Sequence, residues 1–331
     1  MDSKLLELAG PLQSLPPVDF CCVYGSSLLP NNEDKTSMVD YILGVADPLQ
    51  WHSDNLDMNR DHYSKWMARF GPKVITRVTN GIGVGVHFNP FVEWKDKKIK
   101  YGVVGMQDLA QDILTWKIFY LSGRLQKPVR ILVDNWDIRK VNIVNLKAAT
   151  SAALLLSKPE FTEEDLYANI CSLSYMGDLR MLFAEDKNKV KKIVHGSFES
   201  FGAMYKPMLQ EYVAAGLLNC QHYASKGVFK QDCGLSATSY LLSTLPCIPQ
   251  SQMAVGIGGD HGSNGAGGVA TQPLISSRQE AANHVRKVLR RTVRASSLRQ
   301  ALSGFLAAGG SNAARYLTQK MSKSWKSRML T

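Results

Sequence analysis

Short, continuous apolar runs dominate the first third of the chain. Phe20 to Tyr24 (FCCVY) is β-prone and stops at Gly25-Ser26-Ser27, the pattern of a buried strand entering a tight turn. Met38 to Val45 predicts a second buried strand, in which Asp40 and Ile42 share a face because side chains alternate. Further strands are predicted over Gly81 to Phe88, Ile99 to Val104 and Val129 to Val133. Gln107 to Tyr120 has apolar residues at three- and four-residue spacing and predicts a helix. From Leu146 to about Leu245 the pattern is mostly helical. Thr162, with Asp165 three residues on, marks one helix start, and Ser197 to Leu218 is another helical stretch.

These changes divide the chain into a mixed α/β region (1–145), a helical region (146–250), a linker (251–274) holding seven glycines, and a tail (275–331). The tail has the clearest periodicity. At about 100° per residue, Ala281, Val285, Val288, Leu289, Val293 and Ala295 fill one arc, and Arg286, Lys287, Arg290, Arg291 and Arg294 lie opposite. After Ser296-Ser297 the apolar stripe shifts to Leu298, Leu302, Phe305 and Leu306, which predicts a bend or a second segment.

Charge sharpens this picture. The tail holds twelve basic residues and one acidic, leaving 27 of each sign in residues 1–274. Attraction to a polyanion therefore resides in the tail. A helix lying on an anionic membrane surface, a helix docked on its own body and an RNA-binding helix share this amphipathic pattern. The glycine-rich tether and cationic face favour the membrane surface. The scarcity of aromatic residues among the cations speaks against nucleic acid, which is not an expected partner. Cutting after Gly268 is expected to abolish lipid binding and leave the body folded.

No window approaches the roughly 18 to 20 apolar residues of a membrane-spanning helix. Six cysteines without Cys-x-x-Cys spacing read as reduced core thiols rather than a zinc site. Residues 1–20 have neither an Arg-rich transit character nor a secretory apolar core.

A strand ending in Gly-Ser, followed by a strand bearing a carboxylate, is a layout suited to nucleotide transfer. Gly25 permits close approach of a triphosphate, Ser26 and the adjoining Ser27 offer hydrogen bonds to its oxygens, and Asp40 seats Mg²⁺. An ordinary strand-turn-strand gives the same pattern. Lys73, Arg124 and Lys127 are candidate cations for the phosphates. His52, His62 and His87 read as packed imidazoles. Gly81, Gly83 and Gly85 read as glycines within a strand, since they lack the spacing of a dinucleotide loop.

Longer blocks carry a resemblance. Tyr24-Gly25-Ser26, Ser37 to Ile42, Gly44-Val45, Pro48, Trp51-His52-Ser53, Asn55-Leu56 and His62-Tyr63-Ser64 come first. Lys100 to Val103, Gly123 to Leu125, Lys127 to Val129, Ser174-Tyr175 and Gly177 to Met181 follow in order. Together they resemble the mitochondrial translocator assembly and maintenance family, the peripheral mitochondrial phosphatidate cytidylyltransferases. The resemblance implies an α+β protein, with a nucleotidyltransferase-fold domain, a helical winged-helix-like domain and a C-terminal amphipathic helix on the matrix side of the inner membrane. The implied reaction is CTP plus phosphatidate giving CDP-diacylglycerol and diphosphate with Mg²⁺, feeding cardiolipin and phosphatidylglycerol synthesis. Gly25 and Ser26 match its phosphate cradle and Asp40 its metal carboxylate. The wider nucleotidyltransferase pattern has two carboxylates at alternate positions of one strand, but here Met38 and Ile42 flank Asp40. Asp134 is then either a second ligand or a strand-end turn residue. An RNA or small-molecule acceptor, and a non-enzymatic assembly factor, are the alternative functions.

Overall fold

The computed structural model describes residues 3–28, 38–183, 188–223, 226–257 and 275–308. Helix α1 (Ser3–Ala9) precedes strands β1 (Phe20–Tyr24) and β2 (Val39–Val45). Three helices follow: α2 (Pro48–Met58), α3 (Lys65–Phe70) and α4 (Pro72–Arg77). Then come β3 (Val86–Trp94), β4 (Lys97–Gly105), α5 (Met106–Thr115), α6 (Ser122–Leu125) and β5 (Arg130–Asp134). The sheet runs β3-β4-β2-β1-β5, with β2 and β4 parallel and the other neighbours antiparallel. Because β1 and β2 are buried on both faces, they read as continuous apolar runs. Cys22, Tyr24, Ile42, Val86, Phe88 and Val104 pack on one face with Leu109 and Ile113 of α5, whereas Cys21, Val23, Tyr41, Leu43 and Tyr101 pack on the other with Trp51 of α2.

The rest of the chain is helical around a small sheet. Helix α7 (Ile138–Leu156) leads to β6 (Glu160–Thr162), α8 (Glu163–Leu173), α9 (Arg180–Phe183), α10 (Lys189–Gly196) and α11 (Phe198–Ala214). Strands β7 (Leu218–Tyr223) and β8 (Lys226–Gln231) complete a sheet of order β6-β8-β7. Helices α12 (Leu235–Ser243), α13 (Cys247–Ile257) and α14 (Arg278–Ala308) follow. Thr162 and Asp165 form the reciprocal capping box that their spacing predicts. The α+β class agrees with the sequence, and the five-stranded mixed sheet with its helices is consistent with a nucleotidyltransferase-like fold.

Helix α7 crosses the expected boundary at 145/146. Its buried Asn145 accepts from Trp116 Nε1 (2.8 Å) and Gln126 Nε2 (2.9 Å) and donates to the Ser122 carbonyl (3.0 Å). One residue thereby ties the helical half to the segment between α5 and β5.

The tail differs most from expectation. Helix α14 runs unbroken through Ser296-Ser297 as a single segment. Its arc of Ala281, Val285, Val288, Leu289 and Val293 belongs to the main core, beside Tyr167, Phe201 and Tyr205. The amphipathic face thus meets its own protein, and Ala295 is the exposed exception. Ser296 Oγ donates to the Ile118 carbonyl and Ser297 Oγ accepts from Leu179 N, so the two serines are seam residues. Trp66 Nε1 donates to the Leu306 carbonyl (2.9 Å), which attaches the far end of α14 to α3. A cut after Gly268 would therefore remove part of the core. Residues 258–274 and 309–331, with most of the glycine-rich linker, lie outside the described residues.

Two smaller corrections have local causes. The alternating glycines are not inside a strand. Val78–Ile82 is a π-helical turn, Gly85 adopts φ +78°, and β3 begins only at Val86. It then runs through Pro90 by means of a bulge in which Phe91 has φ +63°. The cysteines are unpaired, but Cys233 and Cys247 are exposed rather than core thiols.

The histidines are packed as expected. On the α2 side of the sheet, His52 Nδ1 pairs with Tyr63 Oη and His62 Nδ1 with Tyr101 Oη, both at 2.8 Å, while Asn55 Nδ2 donates to both tyrosines. His87 Nε2 lies 3.1 Å from Asn89 Oδ1, and its Nδ1 is buried without a partner. Burial lowers His87 to about 4, against a smaller upward pull from Asn89, and takes His52 well below the usual histidine range. As pH falls, the unfolded chain binds these protons first, near 6.5, so native stability is expected to decline between about pH 6.5 and 4. The His87 share is about 3 kcal/mol. Guanidinium unfolding at a series of pH values should show this loss, with a flatter slope for His87→Gln.

Candidate active site

The turn after β1 and the start of β2 meet at the edge of the sheet formed by strand ends, between two of its inner strands. Tyr24 and Asp40 are paired across the strands. A Cβ added at Gly25, which has φ +100°, would lie 3.0 Å from Asp40 Oδ2. Glycine is needed there for both backbone and space. Gly25 and Ser26 are exposed, and Ser27 Oγ is a buried hydroxyl without a partner. Lys100 Nζ, on the parallel neighbour β4, is 3.9 Å from Asp40 Oδ1 and 4.4 Å from the centre of the Phe88 ring. Gly25→Ala is expected to lower kcat/KM by about 10²-fold, because the turn must shift away from the carboxylate. A melting curve alongside the kinetics separates this from unfolding.

Cations from both halves of the molecule surround this edge. The Arg124 guanidinium lies 3.8 Å from the centre of the Tyr24 ring and 5.7 Å from that of Tyr120, and its Nε has no partner. One turn later, Lys127 Nζ donates to the Gly123 carbonyl and to Ser174 Oγ, each at 2.5 Å. Lys127 and Lys189 both lie over Tyr175, at 5.0 and 5.5 Å. Arg180 chelates the buried Asp178, with Nη2 to Oδ2 at 2.6 Å. Burial first, then the charges of Arg124, Lys189 and Arg180, bring the Lys127 ammonium down to about 7, against an opposite pull from Cys171. An anion bound there would relieve that crowding. The edge can therefore seat a polyphosphate, with one carboxylate available to a divalent cation.

Buttressing comes from outside the edge. A Cβ at Gly177 would lie 2.7 Å from the Arg290 carbonyl, so α14 supports the segment that presents Tyr175 and Arg180. Asp112 of α5 accepts from the backbone N–H groups of Ile118, Phe119, Leu121 and Ser122 at 2.7–3.1 Å. It thereby shapes the loop that holds Tyr120 and leads into Arg124.

A family model described as mitochondrial phosphatidate cytidylyltransferase matches residues 8–323. The chain belongs to that family. A Bos taurus relative of that name is 36% identical over 309 residues, covering 92% of this chain and 89% of its own. A Danio rerio relative is 35% identical over 295 residues, 88% of this chain and 84% of its own. A Saccharomyces cerevisiae relative is 40% identical over 231 residues, 67% of this chain and 58% of its own. The relatives are named mitochondrial.

Membership of the phosphatidate cytidylyltransferase family spans the Gly25–Asp40 edge, the Arg124–Lys127 segment and α14 alike. Asp134, however, is not near Asp40. Asp134 pairs with Phe20 at the other end of β1, about 13 Å away at ~3.3 Å per residue. Its carboxylate accepts from the N–H groups of Ile138 (2.7 Å) and Arg139 (3.1 Å), which anchors the start of α7. It anchors a helix start, and the structure does not bring it to Asp40. Lys73 is exposed on α4, and none of its described contacts reaches the edge. The sequence pattern does not mark Lys100, Tyr120, Tyr175 and Arg180 as site residues. Lys100, Tyr175 and Arg180 sit within the resemblance blocks, but only the strand register brings Lys100 to Asp40, and only the contacts of Ser174 with Gly123 and Lys127 bring the segment holding Tyr175 and Arg180 beside Lys127.

Proposed function

We propose that the chain catalyses transfer of the cytidylyl group from CTP to phosphatidate, yielding CDP-diacylglycerol and diphosphate. The observation that carries this reading is the contact between the Gly25 turn and Asp40 beside Arg124 and Lys127. In this reading Gly25 admits the triphosphate, Ser26 and Ser27 hydrogen-bond its oxygens, and Arg124 and Lys127 gather negative charge from the two reacting phosphates. The acceptor phosphate monoester has a second pKa of about 6 and is largely dianionic at neutral pH. It attacks the α-phosphorus, and diphosphate leaves without a protein base removing a proton. The residues fit Mg²⁺ of the kind that takes one carboxylate from a protein and its other oxygens from phosphates and water. Asp40 would hold it, and when bound it supplies charge neutralisation and alignment of the phosphates.

Relatives named mitochondrial support a mitochondrial setting, which we place at the matrix face of the inner membrane. No described helix is long and apolar enough to cross a membrane. Peripheral contact is assigned to α14, where Arg286, Lys287, Arg290, Arg291 and Arg294 are exposed. The apolar partners for lipid are Leu298, Leu302 and Phe305, each about half exposed at 49%, 52% and 51%, because the Val285–Val293 face is already buried.

The test offers CTP, ATP, GTP and UTP with phosphatidate vesicles, with and without Mg²⁺. CTP-dependent diphosphate release and a liponucleotide product are expected only with the metal. Nucleotide addition to RNA, or no release at any Mg²⁺ concentration, overturns the reading.

A further inference from the structure

A second cationic site lies away from the Asp40 edge. Between the loop after α5, helix α13 and helix α14 is a cavity of about 350 Å³, lined by Lys117, Ile118, Gln252, Arg291, Thr292 and Arg299 among others. Its charged lining is three cations without a carboxylate. Neither Lys117 nor Arg291 has an acidic partner among the described residues, and Arg299 donates only to the carbonyls of Ile82 (3.2 Å) and Asn80 (3.4 Å). The site is built rather than accidental. The Ser296 Oγ bond to the Ile118 carbonyl fixes Lys117 against α14, and the Asp112 carboxylate holds the loop from beneath.

What adjoins the cavity identifies its ligand. At about 100° per residue, Arg291, Ala295, Leu298, Leu302 and Phe305 fall within an arc of about 80°, a stripe roughly 20 Å long. All five are exposed. Cations at one end, uncompensated apolar side chains along the remainder and a headgroup-sized cavity beside the cations match the two ends of one amphiphile.

We propose that this cavity is a binding site for the phosphate headgroup of an anionic phospholipid, whose acyl region lies along Leu298, Leu302 and Phe305. The site rests on the peripheral membrane reading above and adds a discrete, stoichiometric lipid contact distinct from the reacting phosphatidate. It orients α14, and with it the Ser174–Arg180 segment, relative to the bilayer.

The experiment compares full-length protein with Lys117→Ala/Arg291→Ala and with an equal-charge control, Lys98→Ala/Lys206→Ala, two exposed lysines that lie outside α14 and outside the Asp40 edge. Each is titrated with phosphatidylcholine vesicles containing phosphatidylglycerol, and with monomeric dihexanoyl-phosphatidylglycerol. Melting curves confirm that each variant is folded. The cavity variant is expected to bind anionic vesicles about tenfold or more weakly and to lose saturable binding of the short-chain lipid, while the control loses less than about threefold. A control as impaired as the cavity variant would reduce the effect to general electrostatics and overturn the site. Inorganic phosphate bound as tightly as the short-chain lipid would overturn the lipid assignment. Wild-type protein that binds no vesicle would remove the membrane reading as well, whereas wild-type binding with an unimpaired cavity variant would remove the cavity alone.

Discussion

Asp40→Asn is expected to lower CTP-dependent diphosphate release by about 10³-fold or more while the protein stays folded. The substitution keeps the shape of the side chain and removes its charge. No grouping of three or more metal-ligating side chains exists among the described residues, so no neighbouring cluster stands ready to replace Asp40. Lys100, 3.9 Å away, would then face a neutral amide and compete for the triphosphate instead of balancing the carboxylate. The Asp40 side chain is 28% exposed, so the stability change should be within about 1 kcal/mol. Turnover at saturating CTP, measured over a range of Mg²⁺ concentrations beside a melting curve, checks this. Activity within about tenfold of wild type would count against Asp40 as the metal seat.

The largest effect on stability is expected at Asp112, far from any reacting atom. Asp112→Ala strands four backbone N–H groups, three of them on the buried residues Phe119, Leu121 and Ser122. Each buried orphan costs about 1–3 kcal/mol. The same loop holds Trp116 at φ 54° and Phe119 at φ 58°, conformations that side chains rarely adopt and that persist only where the surroundings impose them. A loss of about 4 kcal/mol or more is expected, read as a fall of roughly 10 °C in Tm. Asp112→Asn should recover only part of it, because the amide NH₂ group faces donors. Released from Asp112, Tyr120 and Arg124 should also lose their positions, so the surviving folded fraction should have a raised KM for CTP. A melting temperature within about 2 °C of wild type would show that the loop is held elsewhere.

What the sequence reveals depends on whether the deciding interaction is local. Strands β1, β2 and most of β4 are legible because burial on both faces leaves uninterrupted apolar runs, the edge strand β5 because Ile131, Leu132 and Val133 pack partly against the cores on its two faces, and the Thr162 cap because its partner is three residues away. The glycines at 81, 83 and 85 mislead because their alternation imitates a strand, whereas Gly81 lies in a π-turn, Gly83 lies close against Ser303 of α14 and Gly85 has a positive φ. The continuation of β3 past Pro90 is hidden because a bulge, absent from the pattern, absorbs the proline. Asp112 looks like an ordinary polar helix residue, since its four partners are six to ten residues downstream. Periodicity finds the apolar arc of α14 but cannot say which surface receives it. Likewise Gly25, Ser26 and Asp40 are visible as a pattern, but only register separates Asp40 from Asp134.

Helix α14 also constrains the order in which the protein is finished. Val285, Val288, Leu289 and Val293 complete a core whose other members are drawn mostly from residues 116 to 253. While the chain is being synthesised or threaded through a translocation channel, the helical half must wait, with its cleft open, for a segment that emerges more than thirty residues after Met253. Holding chaperones should therefore engage nascent chains ending before Val285 far longer than chains extended past Ala308.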